Sequence, residues 1–256
     1  MRKPLSYRHN IPFYTDKSAA EFQKDPYERY DPMVIRQSAI HLADHIWDTA
    51  PYGPIYTFAE QHYPTSMTSI LEIGCGVGRW IGDLAKKYPT SDCYGIDYSY
   101  QMLKRAHEYW INGNEVSIDL SDKGYPTPII LQSHKLSNLN LGLAKASNLP
   151  FEDESQDMII NSFLLDRLEQ PIIALKEMYR VLRSDGTIII TTPLNFNQSK
   201  QWDTLYPPDK LKGVFVDIGF DIIEWRTDIY VNEPLDFHGN HINWKCLCIA
   251  ARKLSR

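Results

Sequence analysis

The chain has little cysteine, four residues in 256, and Cys75, Cys93, Cys246 and Cys248 include no pair at the C-x-x-C spacing of a zinc or redox site. A disulfide framework and a metal centre are not expected. Cys246 and Cys248 share one face of a strand and read as small apolar core residues. Long apolar runs are also lacking: Met158–Ile160 and Ile188–Ile190 fall far short of the roughly 20 residues that cross a bilayer. The start, Met1-Arg2-Lys3-Pro4, leads into polar residues rather than a signal core, so the expected location is cytoplasmic, with no membrane partner. Nor is there a surplus of charge for a polyanion to grip. Lys and Arg number 27 against 32 Asp and Glu, a net charge of -5 with no block of one sign, which argues against nucleic acid as partner. What remains, 43% hydrophobic and 23% charged, suits a folded domain with a sizeable core.

From about residue 70, short β-branched runs alternate with amphipathic stretches of helical length, the pattern of a parallel sheet with crossover helices. Ser69–Ile73 is the first strand, Cys93–Ile96 the second and Leu139–Ala146 the third; Arg79–Lys87 and Tyr98–Trp110 are the intervening helices. The polar stretch at about 112–138, with Gly124, Pro126 and Pro128, reads as an insertion. Asp157–Asn161 is a buried fourth strand, and Pro171–Leu182 a helix stopped by Ser184-Asp185-Gly186. Thr187–Thr192 is the fifth strand, and a helix from Pro207-Pro208 ends at Gly219. Phe220–Val231 and Ile242–Arg252 are two last strands, joined by a linker, Asn232–His241, long for a hairpin. The first 62 residues carry aromatic and aliphatic side chains on helix-like stretches with no strand signal, and are expected to form a helical cap.

Gly74, Gly76 and Gly78 directly follow the first strand, where they allow a sharp turn and close approach of a ligand to backbone. Asp97 ends the next strand, 23 residues beyond Gly74, where a doubly wound sheet sets a carboxylate beside the loop to receive ribose hydroxyls. A nucleoside ligand is expected. A nicotinamide dinucleotide is disfavoured, because Arg79 stands where that fingerprint wants its third glycine.

Ile70-Leu71-Glu72-Ile73-Gly74-Cys75-Gly76-Val77-Gly78-Arg79 resembles motif I of the class I S-adenosylmethionine-dependent methyltransferases. Asn148-Leu149-Pro150-Phe151, Asp157-Met158-Ile159-Ile160 and Tyr179 through Thr187 resemble later motifs of the type 11, UbiE-like branch, in the family's order. The resemblance covers about residues 64–193 well and the C-terminal strand pair loosely, and implies a Rossmann-like doubly wound α/β fold, a seven-stranded sheet with its last strand antiparallel, over 63–256; the cap at 1–62 and the insertion are not matched by it. It implies S-adenosyl-L-methionine as cofactor and S-adenosyl-L-homocysteine as product, and methylation of O, N or C on a small-molecule or peptide-like acceptor. The alternative is a cofactor-binding, non-catalytic protein of the same fold acting through partners. The oligomeric state stays open.

Carried over residue by residue, the resemblance has Gly74, Cys75, Gly76 and Gly78 wrap the methionine end and ribose. Glu72 orders the loop, Asp97 holds the ribose, and Arg79 reaches the carboxylate. Tyr98 and Met102 flank the adenine, Ala146, Ser147 and Asn148 meet its edge, Asn161 and Ser162 meet the methionine portion, and Tyr27 or Tyr30 covers the cofactor from the cap. Lys145 departs from the family, which has an aspartate there to accept from the adenine amino group; a lysine only donates. Asp166-Arg167 also departs, standing where relatives often carry histidine, so no catalytic role carries over.

On the acceptor side, the 232–241 linker offers His238, His241 and Asp236 as candidates for a general base, against the plainer reading of a solvated loop. Asn195, Phe196, Trp202 and Tyr206, after the fifth strand, are candidates for a substrate pocket, against the reading of core packing.

Overall fold

The computed structural model describes residues 1–43, 46–47 and 50–254. Its centre is β3 (Ser69–Ile73), whose five residues are all buried. Parallel neighbours are β4 (Asp92–Asp97) on one side and β8 (Gln156–Ser162) on the other. Outward of β4 lies β7 (Leu139–Leu143), also parallel. Outward of β8 lie parallel β9 (Leu182–Thr192), then antiparallel β11 (His241–Lys253), then β10 (Phe220–Pro234) at the edge. The seven strands therefore run β7-β4-β3-β8-β9-β11-β10. Alternation along the strands divides the core: Ile70, Met158, Ile160 and Ile189 face one layer, and Leu71, Ile73, Ile159, Ile188 and Ile190 the other. Helices α5 (Arg79–Lys87) and α6 (Tyr100–His107) fill the first layer, and α7 (Pro171–Val181) and α9 (Pro208–Ile218) the second.

The sheet has nine strands rather than the expected seven. The two extra ones come from the segment read as helical: β1 (Ser6–Arg8) and β2 (Ile11–Phe13) form a hairpin turned at His9 and Asn10, both at positive φ. β2 then joins the sheet parallel to β7, at Phe13 opposite Leu143. Three-residue strands are too short to show a period, which is why nothing in the residue pattern announced them. Beyond the hairpin the segment is helical, in α1 (Ala19–Lys24), α2 (Pro26–Arg29), α3 (Asp31–Leu42) and α4 (Gly53–Glu60).

Within the 112–138 insertion, β5 (Val116–Ile118) and β6 (Ile129–Leu131) pair in a separate sheet and bury their alternate residues in the first core layer. Two further expectations are corrected. Ser184-Asp185-Gly186 does not separate helix from strand, because β9 already begins at Leu182 and takes these residues up in an irregularity, with Asp185 at φ 62. The 232–241 linker is strand at both ends, since pairing continues to Pro234 opposite His241 and leaves 235–240 as the turn. The last β9 residue pairs at Leu247, whereas β10 and β11 stay paired to His241. At about 3.3 Å per residue, the hairpin therefore rises well beyond the carboxyl edge of the parallel strands, as a wall.

Candidate functional site

A cavity of about 520 Å³ opens at the carboxyl ends of β3, β4, β8 and β9. Its floor is the loop after β3. Gly74 and Gly76 sit at φ +78 and +54, and a Cβ on Gly74 would come within 2.8 Å of Leu164, so the turn is open only to glycine. The amides of Gly74 and Cys75 donate to the Ile96 carbonyl, and that of Gly76 donates to Asp97 Oδ2 at 2.8 Å. Asp97 Oδ1 accepts from the Ser99 amide at 2.8 Å. Each carboxylate oxygen thus takes one backbone donor and keeps a lone pair toward the cavity. Burial raises the Asp97 pKa against these amides.

Glu72 lies beneath the loop, 4% exposed, and accepts from the Ile81 amide at 3.0 Å. Burial pushes its carboxyl up to about 8, against that amide, with the negative charges of Asp97 and Asp83 adding to the rise. Such a group favours a cation brought close to it. Loop geometry is held from behind by Trp110, whose indole donates to the Val77 carbonyl at 3.0 Å and lies flat on Gly82. Trp110 follows α6 in a π turn, Glu108–Asn112, which rotates it inward.

The opposite wall comes from distant parts of the chain. Glu233, near the end of β10, is 6% exposed and accepts from Arg36 at 2.5 Å, Tyr52 at 3.1 Å and Trp244 at 3.0 Å. Phe163, just after β8, is held at φ 51 and packs edge-on between Tyr52 and Trp244, with centroids 5.4 and 6.1 Å away. His41 packs on Tyr52 at 4.6 Å, and desolvation, helped by the Arg79 charge, lowers its pKa to about 4. Tyr27 of α2 also lines the cavity, and burial raises its phenol pKa.

The structure brings together many of the expected residues: Tyr27, Glu72, Gly74, Cys75, Gly76, Arg79, Asp97, Tyr98, Met102, Ala146 and Ser162 line the cavity. Gly78 stands one step back as the cap of α5, and Asn161 lies under the floor, its amide donating to the Ile73 carbonyl. Tyr30 is outside, half exposed beside Arg29, because α2 turns Tyr27 inward instead. Ser147 does not line the cavity, and Asn148 points away to Arg2. Lys145 also turns outward, pairing with Glu21 of α1 at 2.5 Å.

The acceptor-side expectations are corrected. His238 and Asp236 belong to the exposed tip of the β10–β11 hairpin and His241 to the strand end beside it; the Asp236 carboxylate binds Asn240. That tip docks on the 112–138 insertion through Tyr125 and Lys123, which carries it off the cavity. Asn195, Phe196, Trp202 and Tyr206 are not cavity residues either: Trp202 packs edge-to-face with Phe196 and with Tyr206 around α8 (Ser199–Leu205). Gln37, His41, Tyr52, Tyr56, Phe163, Arg167, Asn197 and Glu233 line the cavity without having been singled out for it. Among the described residues, no cluster of His, Cys, Asp or Glu is placed to hold a metal, and no helix is long and apolar enough to cross a membrane.

Comparison with known proteins gives a consistent picture. Residues 71–190 match the family model described as a methyltransferase domain, type 11. A demethylmenaquinone methyltransferase of Staphylococcus aureus is 31% identical over 123 residues, 48% of this chain. The match spans only 42% of that relative's length. Among solved structures, an S-adenosylmethionine-dependent methyltransferase from Aquifex aeolicus is similar with TM-score 0.54 and 18% identity, over 88% of this chain and 100% of that one. The [4+2]-cyclase SpnF is similar with TM-score 0.56 and 15% identity, over 88% and 95%. At these identities the likeness is one of fold. The methyltransferase-domain match implies S-adenosylmethionine as cofactor, and the residues fit it: a buried carboxylate with two open acceptor positions suits a vicinal diol, and a buried glutamate held by one backbone amide suits an ammonium group.

Proposed function

We propose, from the premise that residues 71–190 are a methyltransferase domain of type 11, that this chain transfers a methyl group from S-adenosylmethionine to an oxygen, nitrogen or carbon of a small acceptor. The observation that carries the reading is the pairing, in one cavity, of the loop turned at Gly74 and Gly76 with the Asp97 carboxylate. When bound, the cofactor supplies a methyl group already activated on a sulfonium. Asp97 would receive the two ribose hydroxyls, Tyr98 and Met102 would flank the base, and Glu72 would stand near the ammonium end.

The chain's remaining task is then to hold an acceptor in line and to exclude water. Sheet order supports giving that task to one side: Asp97 ends β4, whereas Phe163 and Asn197 follow β8 and β9 and Glu233 lies near the end of β10. The nucleoside would lie over β4 and the acceptor over β8 and β9, under the lid of α1 to α4. Division into a lid at 1–62 and a transferase domain at 63–256 follows the same logic.

A thermal-shift titration tests the reading, because a ligand of the native state raises Tm by mass action. S-adenosylmethionine and S-adenosylhomocysteine are expected to stabilise the protein and reduced nicotinamide dinucleotide is not. Stabilisation without turnover on any acceptor would favour a non-catalytic binding protein; no stabilisation by either sulfur ligand would remove the reading.

A further inference from the structure

The charges lining the cavity are unequally matched. Of the carboxylates, Asp25 is paired with Lys17 at 2.6 Å, Glu233 holds Arg36, Tyr52 and Trp244, and Asp97 and Glu72 each accept backbone amides. Arg79 is paired with Asp83 and donates to the His41 carbonyl. Two cationic side chains that line the cavity, Lys24 and Arg167, have no hydrogen bond or ion pair among the described residues. They sit on different elements, the last turn of α1 and the turn Leu165–Arg167 after β8.

Arg167 stands on a firmly held backbone. Its neighbour Asp166 is fully buried, accepting from Thr192 Oγ1 at 2.9 Å and from the Asn195 amide at 3.2 Å. Its own amide donates to Leu164 at 2.8 Å, so the guanidinium is presented from a fixed base while its head stays exposed to the cavity mouth. The rings of Tyr27, Tyr52 and Phe163 line the same cavity as Arg167 and Glu233. A guanidinium with a free donor fork matches an oxygen anion, and the rings match an apolar body.

We infer that the acceptor is a small organic acid whose apolar body packs against Tyr27, Tyr52 and Phe163 and whose carboxylate or phosphate is read by Arg167, Lys24 being a second cation of the same cavity. This rests on the methyltransferase reading and specifies its substrate class. Arg167 is then the residue that sets specificity, while the cofactor is held elsewhere.

The test uses the full-length protein saturated with S-adenosylhomocysteine and titrated calorimetrically with aromatic carboxylic acids and aryl phosphates, each beside its neutral ester, methyl for the carboxylic acids and dimethyl for the phosphates. At least one anion is expected to bind about tenfold more tightly than its ester, the value of one charge-assisted contact. Arg167→Ala should abolish that preference and Arg167→Lys restore part of it, with S-adenosylhomocysteine affinity within twofold of the parent in both. Which arm wins separates carboxylate from phosphate. Anions and esters binding alike across the panel overturns the inference, as does a loss of S-adenosylhomocysteine affinity in Arg167→Ala, which would assign the residue to the cofactor. Failure of the parent to bind S-adenosylhomocysteine at all is read before any acid is added; it is the failure of the methyltransferase reading, and the inference falls with it.

Discussion

The two halves of the cavity are built in opposite ways. The half over β4 is local: Glu72, the glycine loop and Asp97 come from one strand–helix–strand unit, and the Asp97 carboxylate reaches an amide only 21 positions away. The half under the Glu233 wall is assembled from afar, for Glu233 binds Arg36 and Tyr52 across 197 and 181 positions. A local unit keeps its geometry as long as the parallel sheet forms. The long-range half exists only when the N-terminal helices and the β10–β11 hairpin are docked together.

The contrast can be broken from either end. The largest effect is expected from Asp97→Ala, which removes two charge-assisted acceptors at roughly 2 kcal/mol each and so weakens S-adenosylmethionine binding on the order of a thousandfold by calorimetry. Tm should change little by comparison, and unaltered affinity in a folded variant would dissolve the local half altogether. Next, Glu233→Ala leaves Arg36, Tyr52 and Trp244 without their shared acceptor and should cost about 3 kcal/mol, a fall of roughly 6 to 10 °C in Tm. Cofactor affinity should stay within about threefold, and a matching collapse of both would show that the halves are one cooperative unit.

A third expectation sharpens the comparison by pH. Glu72 has a folded pKa of about 8, above its ordinary 4.5, so the folded state binds the extra proton and stability falls as pH rises through that interval. His41, lowered to about 4, acts below 6.5, where stability is lost as pH falls. The window from 6.5 to 8 therefore belongs chiefly to Glu72: the ligand-free protein should lose about 2 kcal/mol across it, read as Tm, and Glu72→Gln should flatten the curve. Saturation with S-adenosylmethionine, by placing an ammonium near Glu72, should flatten it too. The smallest effect is expected from Lys145→Ala. Its pair with Glu21 is more than a third exposed, so stability should change by less than about 1 kcal/mol and cofactor affinity hardly at all.

How much of this was legible in the residue pattern follows the same division. The strand–glycine loop–helix unit and Asp97 could be read directly, because turn chemistry and spacing are local properties. Lys145 could be flagged as unusual, but its turn toward Glu21 depends on where α1 packs. Glu233 was invisible, although the linker containing it drew attention to His238 and Asp236 three to five positions later. Its role arises from the overshoot of the β10–β11 hairpin, and a strand's length relative to its neighbours is a tertiary quantity. Trp110 likewise looked like an ordinary helix residue, and only the π turn brings it over Gly82.

The short hairpin at residues 6–13 has a consequence for how the molecule meets its neighbours in solution. Without it, β7 would present a buried-type strand with open backbone donors and acceptors, a template for pairing with another chain. With β2 added, that border is passed to β1, three exposed residues carrying Arg8. The far border, β10, carries Glu224, Arg226 and Asp228 and is interrupted by two register shifts. Both margins of the sheet thus end in charge or brevity, a safeguard against aggregation that is separate from catalysis and lies at the two ends of the strand order.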